Sequence, residues 1–384
     1  MVSDYAAARA AAPRIHAHFT EHIAEARAAG LRTDSVEAPD VETIESIIDA
    51  AFWASLRREE GYVPKVSLAL VPPELVNQPL MFEQPLPLTT SALVRVAPAV
   101  ERPGIHLGVW RRPSAHGTRS GELMVWGATR TIPTLTFVLE VSAPGLLVVK
   151  HHRGETGKFV NVAVLEGDLV KVINEKASTV PDCPNVVTSL IAFGAGHADE
   201  DVNVLVQLAV SMRAHARGGS LIVVPSGSEA WHESVVRPVR YSISPTYSKL
   251  ADLVRRADAE AERRSWQDAV ENAVSAVAGL TAVDGATVIT DRYELLAFGA
   301  KLSRRRGSAQ VEQTIVTEPI EGSTADVMHP SRLGGTRHLS AAQFVHDQHG
   351  ALALVASQDG RFTIFAWSPC EEMVHAHRVE ALLL

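Results

Sequence analysis

Two short segments in the second half of the chain carry side chains that could bind a phosphate and a metal ion. Residues 334–338 read GGTRH, which joins two glycines to a hydroxyl, a guanidinium and an imidazole. These groups suit the binding of phosphate oxygens. Residues 284–286 read DGA and place the carboxylate of Asp284 before an apolar run, where it could hold a divalent cation. A phosphate site and a metal carboxylate together predict nucleotide chemistry.

Each segment also has a plainer interpretation. Asp-Gly is a common turn dipeptide, although Gly285 would also allow a ligand to approach closely or the backbone to take an unusual angle. Residues 336–338 precede the sequence LSAA, which opens a predicted helix, so they would lie just before a helix N-terminus that favours anions. The alternative there is a loop with Ser340 as the N-cap and Arg337 in solvent.

The composition limits the class of protein. With 384 residues, of which 46% are apolar, the chain can form two or three globular domains. Its net charge of −8 argues against a nucleic-acid polymer as partner, because there is no basic surplus to displace counterions. Cys183 and Cys370 are the only cysteines, which argues against a disulfide framework or a cysteine zinc site. Residues 1–13 contain no apolar signal segment, and no apolar run approaches the ~18 residues of a membrane span. We therefore expect a cytoplasmic protein that does not bind membranes.

The predicted helices and strands around the two segments fall into two regions. Residues 1–180 are predicted to be an α+β region, with helices at 6–30 and 41–60 and β-like runs at 66–70, 104–110, 122–126, 134–141, 145–150 and 159–165. Prolines at 181 and 184 mark the expected boundary, and residues 185–384 form the second region. Its predicted helices are 202–217, 247–264, 266–280 and 339–349. Its predicted strands are 220–224, 286–290, 295–300, 311–316, 351–357 and 362–367, the last two joined by a turn at Asp359-Gly360. The fold class is therefore α/β, with a mixed sheet flanked by helices.

Taken in order, pieces of the second region resemble the diadenylate cyclase (DAC) domain family, whose members join two ATP molecules into cyclic di-AMP. The matching pieces share the family's sequence patterns for its strands and motifs. They are residues 217–224 (RGGSLIVV), 284–286 (DGA), 296–300 (LAFGA), 335–338 (GTRH) and 353–357 (ALVAS). The resemblance covers roughly residues 200–370.

The resemblance implies roles for individual residues. Asp284 would bind the catalytic Mg²⁺ or Mn²⁺, while Arg337 and His338 would hold the phosphates of ATP. The other implied nucleotide-binding residues are Gly285, Ala286, Gly335, Thr336 and Ser357. Phosphoryl transfer depends mainly on positioning and charge neutralisation, which these groups could supply. Because family members appose two such domains, an active form would be a face-to-face homodimer or a higher oligomer.

The chain also departs from the family pattern. The family's R-H-R motif ends here in Leu339, and its S-E-E-T-G element reads SQDG at 357–360. A helical insert at 251–280 precedes Asp284. Losing a charged phosphate contact costs about 1.5–3 kcal/mol, and the basic triplet at 304–306 is either a replacement or a solvated loop. These changes favour a domain that binds a nucleotide without turning it over.

Such altered domains, joined to a variable N-terminal region, resemble the DACNV type of probable sensor proteins of bacterial defence systems. The N-terminal segments that carry this similarity are 51–56 (AFWASL), 59–61 (EEG) and 85–89 (PLPLT). Two functions therefore remain open: adenine-nucleotide signalling by cyclase chemistry, and an inactive sensor that binds a nucleotide or a cyclic dinucleotide. A purely structural role is a third alternative.

Several other polar groups are candidates outside this pattern. His151 and His152, beside Arg153 and Lys158, could form an anion or metal site or a basic cluster at the surface end of a strand. His375 and His377 could face the same side of a strand and bind a metal. His197, Asp199 and Glu200 have the chemistry of metal ligands, although Asp199 also suits a helix cap. Residues 154–158 lack the spacing of a phosphate-binding loop.

Overall fold

The computed structural model describes residues 4–30, 36–58, 61–111, 121–153, 158–174, 184–185, 187–188, 204–255 and 263–384. The chain divides into two compact units, Met1–Ile173 with Leu384, and Asn174–Leu383. The boundary expected from the sequence, between 180 and 185, falls in a stretch that is described only in part, so it stays a prediction. His197, Asp199, Glu200 and the loop 154–157 lie outside the described residues.

The N-terminal unit is an α+β structure with one mixed sheet. Its described helices are α1 (Ala6–Ala28), α2 (Val41–Ser55) and α3 (Thr90–Val100). Its strands are β1 (Ser67–Leu70), β2 (Leu80–Pro87), β3 (His106–Arg111), β4 (Leu123–Thr129), β5 (Phe137–Ala143), β6 (Leu146–Arg153), β7 (Lys158–Glu166) and β8 (Leu169–Val172). They lie in the order β2-β4-β3-β1-β5-β6-β7-β8, in which only the pair β1–β3 is parallel.

Helix α2 shows how the sequence determines this core. The Asp40 carboxylate accepts the Thr43 backbone N–H at 2.8 Å and so caps the helix. Ile44, Ile47 and Ile48 recur at helical spacing and are fully buried. The helix ends at Ser55, earlier than the predicted end at 60. Strand β2 and helix α3 were not predicted, because β2 is largely exposed and α3 contains a proline.

The C-terminal unit confirms the α/β class, with a second mixed sheet flanked by helices. Its described helices are α4 (Val204–Ala214), α5 (Lys249–Arg255), α6 (Arg263–Leu280) and α7 (Thr336–Asp347). Its strands are β9 (Gly219–Val224), β10 (Tyr241–Tyr247), β11 (Ala286–Thr290), β12 (Leu295–Ala300), β13 (Thr314–Thr317), β14 (Asp326–Met328), β15 (Leu352–Ala356), β16 (Phe362–Ser368) and β17 (Met373–Arg378). The order is β10-β12-β11-β9-β15-β16-β17-β13-β14. Among the described helices of the whole chain, none is both long and apolar enough to cross a membrane.

The central strand β9 supplies side chains to a core on each face of this sheet. Leu221 and Val223 pack into the cluster that contains α4 and α6, whereas Ile222 and Val224 pack into the cluster that contains α7. All six residues of β9 are buried, as expected for a strand covered on both faces. This burial anchors the strand ends that carry the candidate site.

Several expected bounds in the C-terminal unit were wrong in detail. The strand predicted at 311–316 is β13, which begins only at Thr314. Helix α7 begins at Thr336 rather than at 339, because Gly335 takes extended backbone angles and serves as the N-cap. Ser340 is therefore not the N-cap but lies inside the helix. The helix expected from residue 247 begins at Lys249, since Tyr247 ends the edge strand β10. Strands β10 and β14 are mostly exposed and have no alternating apolar pattern by which the sequence could reveal them.

Candidate nucleotide site

The register of four neighbouring strands places the two predicted segments at the same edge of the C-terminal sheet. Ala286 at the start of β11 pairs with Ala300 at the end of β12 and with Ser220 at the start of β9. Ser220 in turn pairs with Val355 near the end of β15. The segments that continue from these positions, together with the first turn of α7, therefore meet around one opening.

A cavity of about 490 Å³ lies at this edge. Every site residue predicted from the sequence lines it, from three separate parts of the chain. These residues are Asp284, Gly285, Ala286, Gly335, Thr336, Arg337, His338 and Ser357. The structure thus brings the predicted set together, and the cavity has the size of a small-molecule site.

Asp284 enters the cavity from the turn between α6 and β11, as the sequence predicted. Its carboxylate is exposed and has no hydrogen-bond or ion-pair partner within the described part of the chain. Gly285 has a φ of +104°, and a β-carbon there would lie 2.5 Å from the carbonyl carbon of Gly299. Only glycine fits this close passage between β11 and β12. The turn therefore holds Asp284 in place by backbone packing.

Two cations line the same cavity. Arg337 is exposed, and its guanidinium is free of ion pairs among the described residues. Its Nη1 atom would lie 3.1 Å from a β-carbon at Gly218, so the side chain lies over the entry to β9. Lys301, just after β12, is likewise exposed and has no side-chain partner in the described structure. Lys301 was not among the residues predicted from the sequence, because a single lysine after a strand carries no motif.

His338 differs from the solvent-facing phosphate ligand that the motif suggests. Its side chain is only 2% exposed, and its ring meets the Phe365 ring edge to face at 6.1 Å. Burial lowers its pKa, with Arg361 and Arg337 acting in the same direction and Asp359 and Glu380 opposing them. The imidazole is therefore neutral at pH 7 and can offer a phosphate an N–H group but no charge.

The first turn of α7 adds backbone donors to the cavity wall. Gly335 contributes no side-chain cap, and Thr336 and Arg337 are the first two helical residues. The N–H groups of such a turn point out of the helix, and the helix dipole favours a negative ligand there. Together with Arg337 and Lys301, the helix end makes this wall of the cavity electropositive.

The altered element at 357–360 leaves few carboxylates near the cavity. It forms the predicted turn between β15 and β16, in which the Ser357 N–H donates to the Arg361 carbonyl at 2.9 Å. Asp359 is engaged by the Arg361 Nε atom at 3.3 Å. Burial raises the pKa of Asp359, but hydrogen bonds from Ser357 and Arg361 and the Arg361 charge outweigh it, so the pKa is lowered. Among the described lining residues, Asp284 is the one acid.

A smaller cavity of about 240 Å³ adjoins the first and shares Leu302 and Ser340 with it. Leu339, at the position where the resemblance to the cyclases would place an arginine, lines this second cavity and also packs against the apolar core. Arg304 lines the same cavity, and its guanidinium has no partner among the described residues. A cation thus lies in the same cavity as Leu339.

The structure places the other candidate histidines in two separate environments. His375 and His377 do face the same side of β17, with ring centroids 3.9 Å apart. Both are within hydrogen-bond distance of the Thr317 hydroxyl, at 2.9 and 3.2 Å. His151 is only 2% exposed, so the expectation of a surface cluster was wrong for this residue. Its ring lies against α1, because strand alternation directs it into the core of the N-terminal unit.

Comparison with known proteins adds one match in the N-terminal unit. Residues 33–130 match the family model described as "Probable sensor domain DACNV". This part of the chain is therefore similar to that sensor domain. No curated protein matches the sequence. Among solved structures, the crystal structure of the hypothetical membrane spanning protein from Bacillus cereus is similar at 12% identity, covering 50% of this chain and 70% of that chain. Its TM-score of 0.28 is too low to support an argument about fold or function.

Proposed function

We propose that the C-terminal unit is a nucleotide sensor that binds the phosphates of an adenine nucleotide or cyclic dinucleotide in the 490 Å³ cavity. The observation that carries this proposal is the meeting of two cations, Arg337 and Lys301, with the first turn of α7, whose N-cap has no side-chain acceptor. Neither cation is engaged by an acidic group among the described residues. A polyanion of nucleotide size would neutralise both charges and accept hydrogen bonds from the helix end.

The cavity also suits a divalent cation bound together with the nucleotide. The Asp284 carboxylate is a hard oxygen ligand, and Mg²⁺ is commonly held by one or two carboxylates and the phosphates of the ligand. Mg²⁺ or Mn²⁺ on Asp284 would neutralise phosphate charge. Among the described residues that line the cavity, Asp284 is the only acid. The phosphates of the nucleotide would therefore supply further ligands to the metal ion.

Sensing is favoured over turnover by the state of the two altered motifs. Asp359 is held by Arg361, and Leu339 contributes an apolar side chain where the related cyclases have a charged one. Diadenylate cyclase chemistry remains a second candidate, because Asp284 keeps the position and the freedom that a catalytic metal ligand needs. That reaction would require two copies of the domain to face each other.

Binding and mass spectrometry on the full chain separate these functions. Isothermal titration with ATP and with cyclic di-AMP, in Mg²⁺ and in Mn²⁺, should show saturable binding. Arg337→Ala should weaken it about 10- to 100-fold, since a hydrogen bond to a charged group contributes about 1.5–3 kcal/mol. Arg332→Ala is the matched control, because Arg332 is exposed on the same segment but does not line the cavity.

The same samples decide between sensor and enzyme. Cyclic di-AMP formed from ATP by the wild type, but not by Asp284→Asn, would establish the cyclase and overturn the sensor. Saturable binding without product supports the sensor. Absence of both binding and product would exclude the two functions together.

A further inference from the structure

Three histidines of the N-terminal unit come together between a helix and the sheet. His18 and His22 lie four positions apart on α1, which places them on one face of the helix, and their ring centroids are 4.0 Å apart. His151 on β6 faces them, with ring centroids 6.2 Å from His18 and 5.3 Å from His22. One ligand nitrogen of each residue lies within 4.8 Å of the other two.

The surroundings of this cluster are apolar. Phe19 is fully buried, and its ring lies 5.8 Å from the His151 ring and 5.6 Å from the Phe137 ring. A buried imidazole nitrogen in such a place needs a partner, because losing water without replacement is costly. The Nε2 atom of His18 is buried and has no hydrogen-bond partner among the described residues. By contrast, the Nδ1 atom of His16 lies 2.8 Å from the Pro39 carbonyl oxygen.

We propose that His18, His22 and His151 bind a first-row divalent transition metal, with Zn²⁺ as the best fit to three imidazole ligands. Two histidines four positions apart on a helix, joined by a third ligand from elsewhere, form a well-suited set for zinc. Tetrahedral zinc with Zn–N bonds of about 2.0–2.1 Å needs ligand nitrogens about 3.4 Å apart. Metal binding would therefore draw the three nitrogens together from their present spacing, within 4.8 Å of one another, by rotation of the side chains. The fourth position is left for water or a small ligand.

The protonation state of His18 suits a metal. Burial, followed by the neighbouring His22 and His151, lowers the pKa of His18 to about 3. Neutral imidazole is the form that binds metals, so at pH 7 no proton has to leave His18. The site lies wholly in the N-terminal unit and does not depend on the proposed nucleotide function.

Metal titration of the full chain, free of any affinity tag and stripped with a chelator, tests the proposal directly. Co²⁺ should bind with one ion per chain and give the intense visible absorption of a four-coordinate site, which Zn²⁺ should then displace. X-ray absorption of the zinc form should count three imidazole nitrogens. The thermal unfolding midpoint should rise with Zn²⁺, because an ion that binds the folded state stabilises it.

Variants identify the ligands. His18→Gln, His22→Gln and His151→Gln should each weaken binding by more than about 100-fold, since loss of an outer-shell partner alone costs about 10- to 100-fold. His16→Gln, on the same helix, and His152→Gln, on the opposite side of the same strand, should bind like the wild type. Absence of four-coordinate Co²⁺ absorption in the wild type, or binding that survives His151→Gln, would overturn the proposal. If His151→Gln does not fold, the nitrogen count in the wild-type zinc form decides.

Discussion

The imidazole of His338 lies directly against the α-carbon of Gly334, so that a β-carbon on Gly334 would come within 2.3 Å of the His338 Nδ1 atom. The first glycine of the GGTRH segment therefore has a packing role: the absence of a side chain at Gly334 makes room for the His338 ring. The second glycine, Gly335, has open space around it and caps α7 with extended backbone. The two adjacent glycines thus have different roles: Gly334 leaves room for the His338 ring, and Gly335 is the N-cap of α7.

Gly334→Ala should disturb the cavity, because the new methyl group and the His338 ring cannot both keep their places. We expect a loss of about 1–3 kcal/mol in the free energy of unfolding, typical of overpacking, and weaker nucleotide binding. Gly279→Ala in α6 is the control, since its β-carbon would meet nothing within 4 Å and it lines neither cavity. Chemical denaturation and calorimetry measure the two effects. Equal stability of the two variants would contradict the packing role of Gly334.

Gly285→Ala should displace Asp284. The position combines a φ of +104° with a close passage to Gly299, and an alanine there would be strained in backbone and in packing. We expect at least about 1 kcal/mol of destabilisation and loss of any dependence of nucleotide binding on Mg²⁺. Gly279→Ala in α6 is the matched control, because its β-carbon has open space and a helix gains up to about 1 kcal/mol from this change. Retained Mg²⁺ dependence in Gly285→Ala would show that Asp284 does not hold the ion.

Arg304 should supply part of the charge that Leu339 does not. Both residues line the cavity that adjoins the main one, and the Arg304 guanidinium is free among the described residues. Arg304→Ala should therefore weaken nucleotide binding about tenfold or more, as expected for a lost charged contact. Arg306→Ala is the control from the same basic triplet, because Arg306 lines neither cavity. Equal nucleotide affinities of these two variants would show that the basic triplet at 304–306 is a solvated loop with no role in binding.

The pair His375 and His377 should make stability depend on pH. Burial lowers the pKa of His375 to about 4 and that of His377, beside the His375 charge, to about 3. The unfolded chain takes up these protons near pH 6.5, whereas the folded unit does so only well below that. The contribution of the neutral pair to the free energy of unfolding is therefore fully present above pH 6.5. It falls as the pH drops toward the folded pKa values, by up to about 1.4 kcal/mol per pH unit for each histidine.

Denaturation of the wild type and of a His375→Gln, His377→Gln double variant between pH 7.5 and 4 would measure this contribution. The double variant should lose less stability on acidification than the wild type. Parallel pH profiles would mean that the pair does not titrate differently in the folded and unfolded states.

The long apolar segments of the chain could be predicted from the sequence, whereas the exposed helices and strands could not. Strands β11 and β12 have the predicted bounds: β11 is a continuous buried apolar run, and β12 is an apolar run of buried and half-buried residues. The exposed edge strand β10 is held by pairing with β12 rather than by its own burial, and no local pattern reveals it. The start of α7 shifted by three residues because a glycine, not the serine, provides the cap.

The groups available for chemistry could be read from the sequence: a carboxylate in a DGA turn, and a guanidinium and an imidazole after two glycines. The sequence also indicated which segments are buried strands, since apolar periodicity is a local property. That these groups share one cavity depends on the packed fold, because strand register joins Ala300, Ala286, Ser220 and Val355 across distant parts of the chain. The same packing places Lys301 in that cavity and Arg304 in the adjoining one, buries His338 in its neutral form and brings His151 to two histidines of α1. Proximity and burial are properties of the packed chain, and no single segment encodes them.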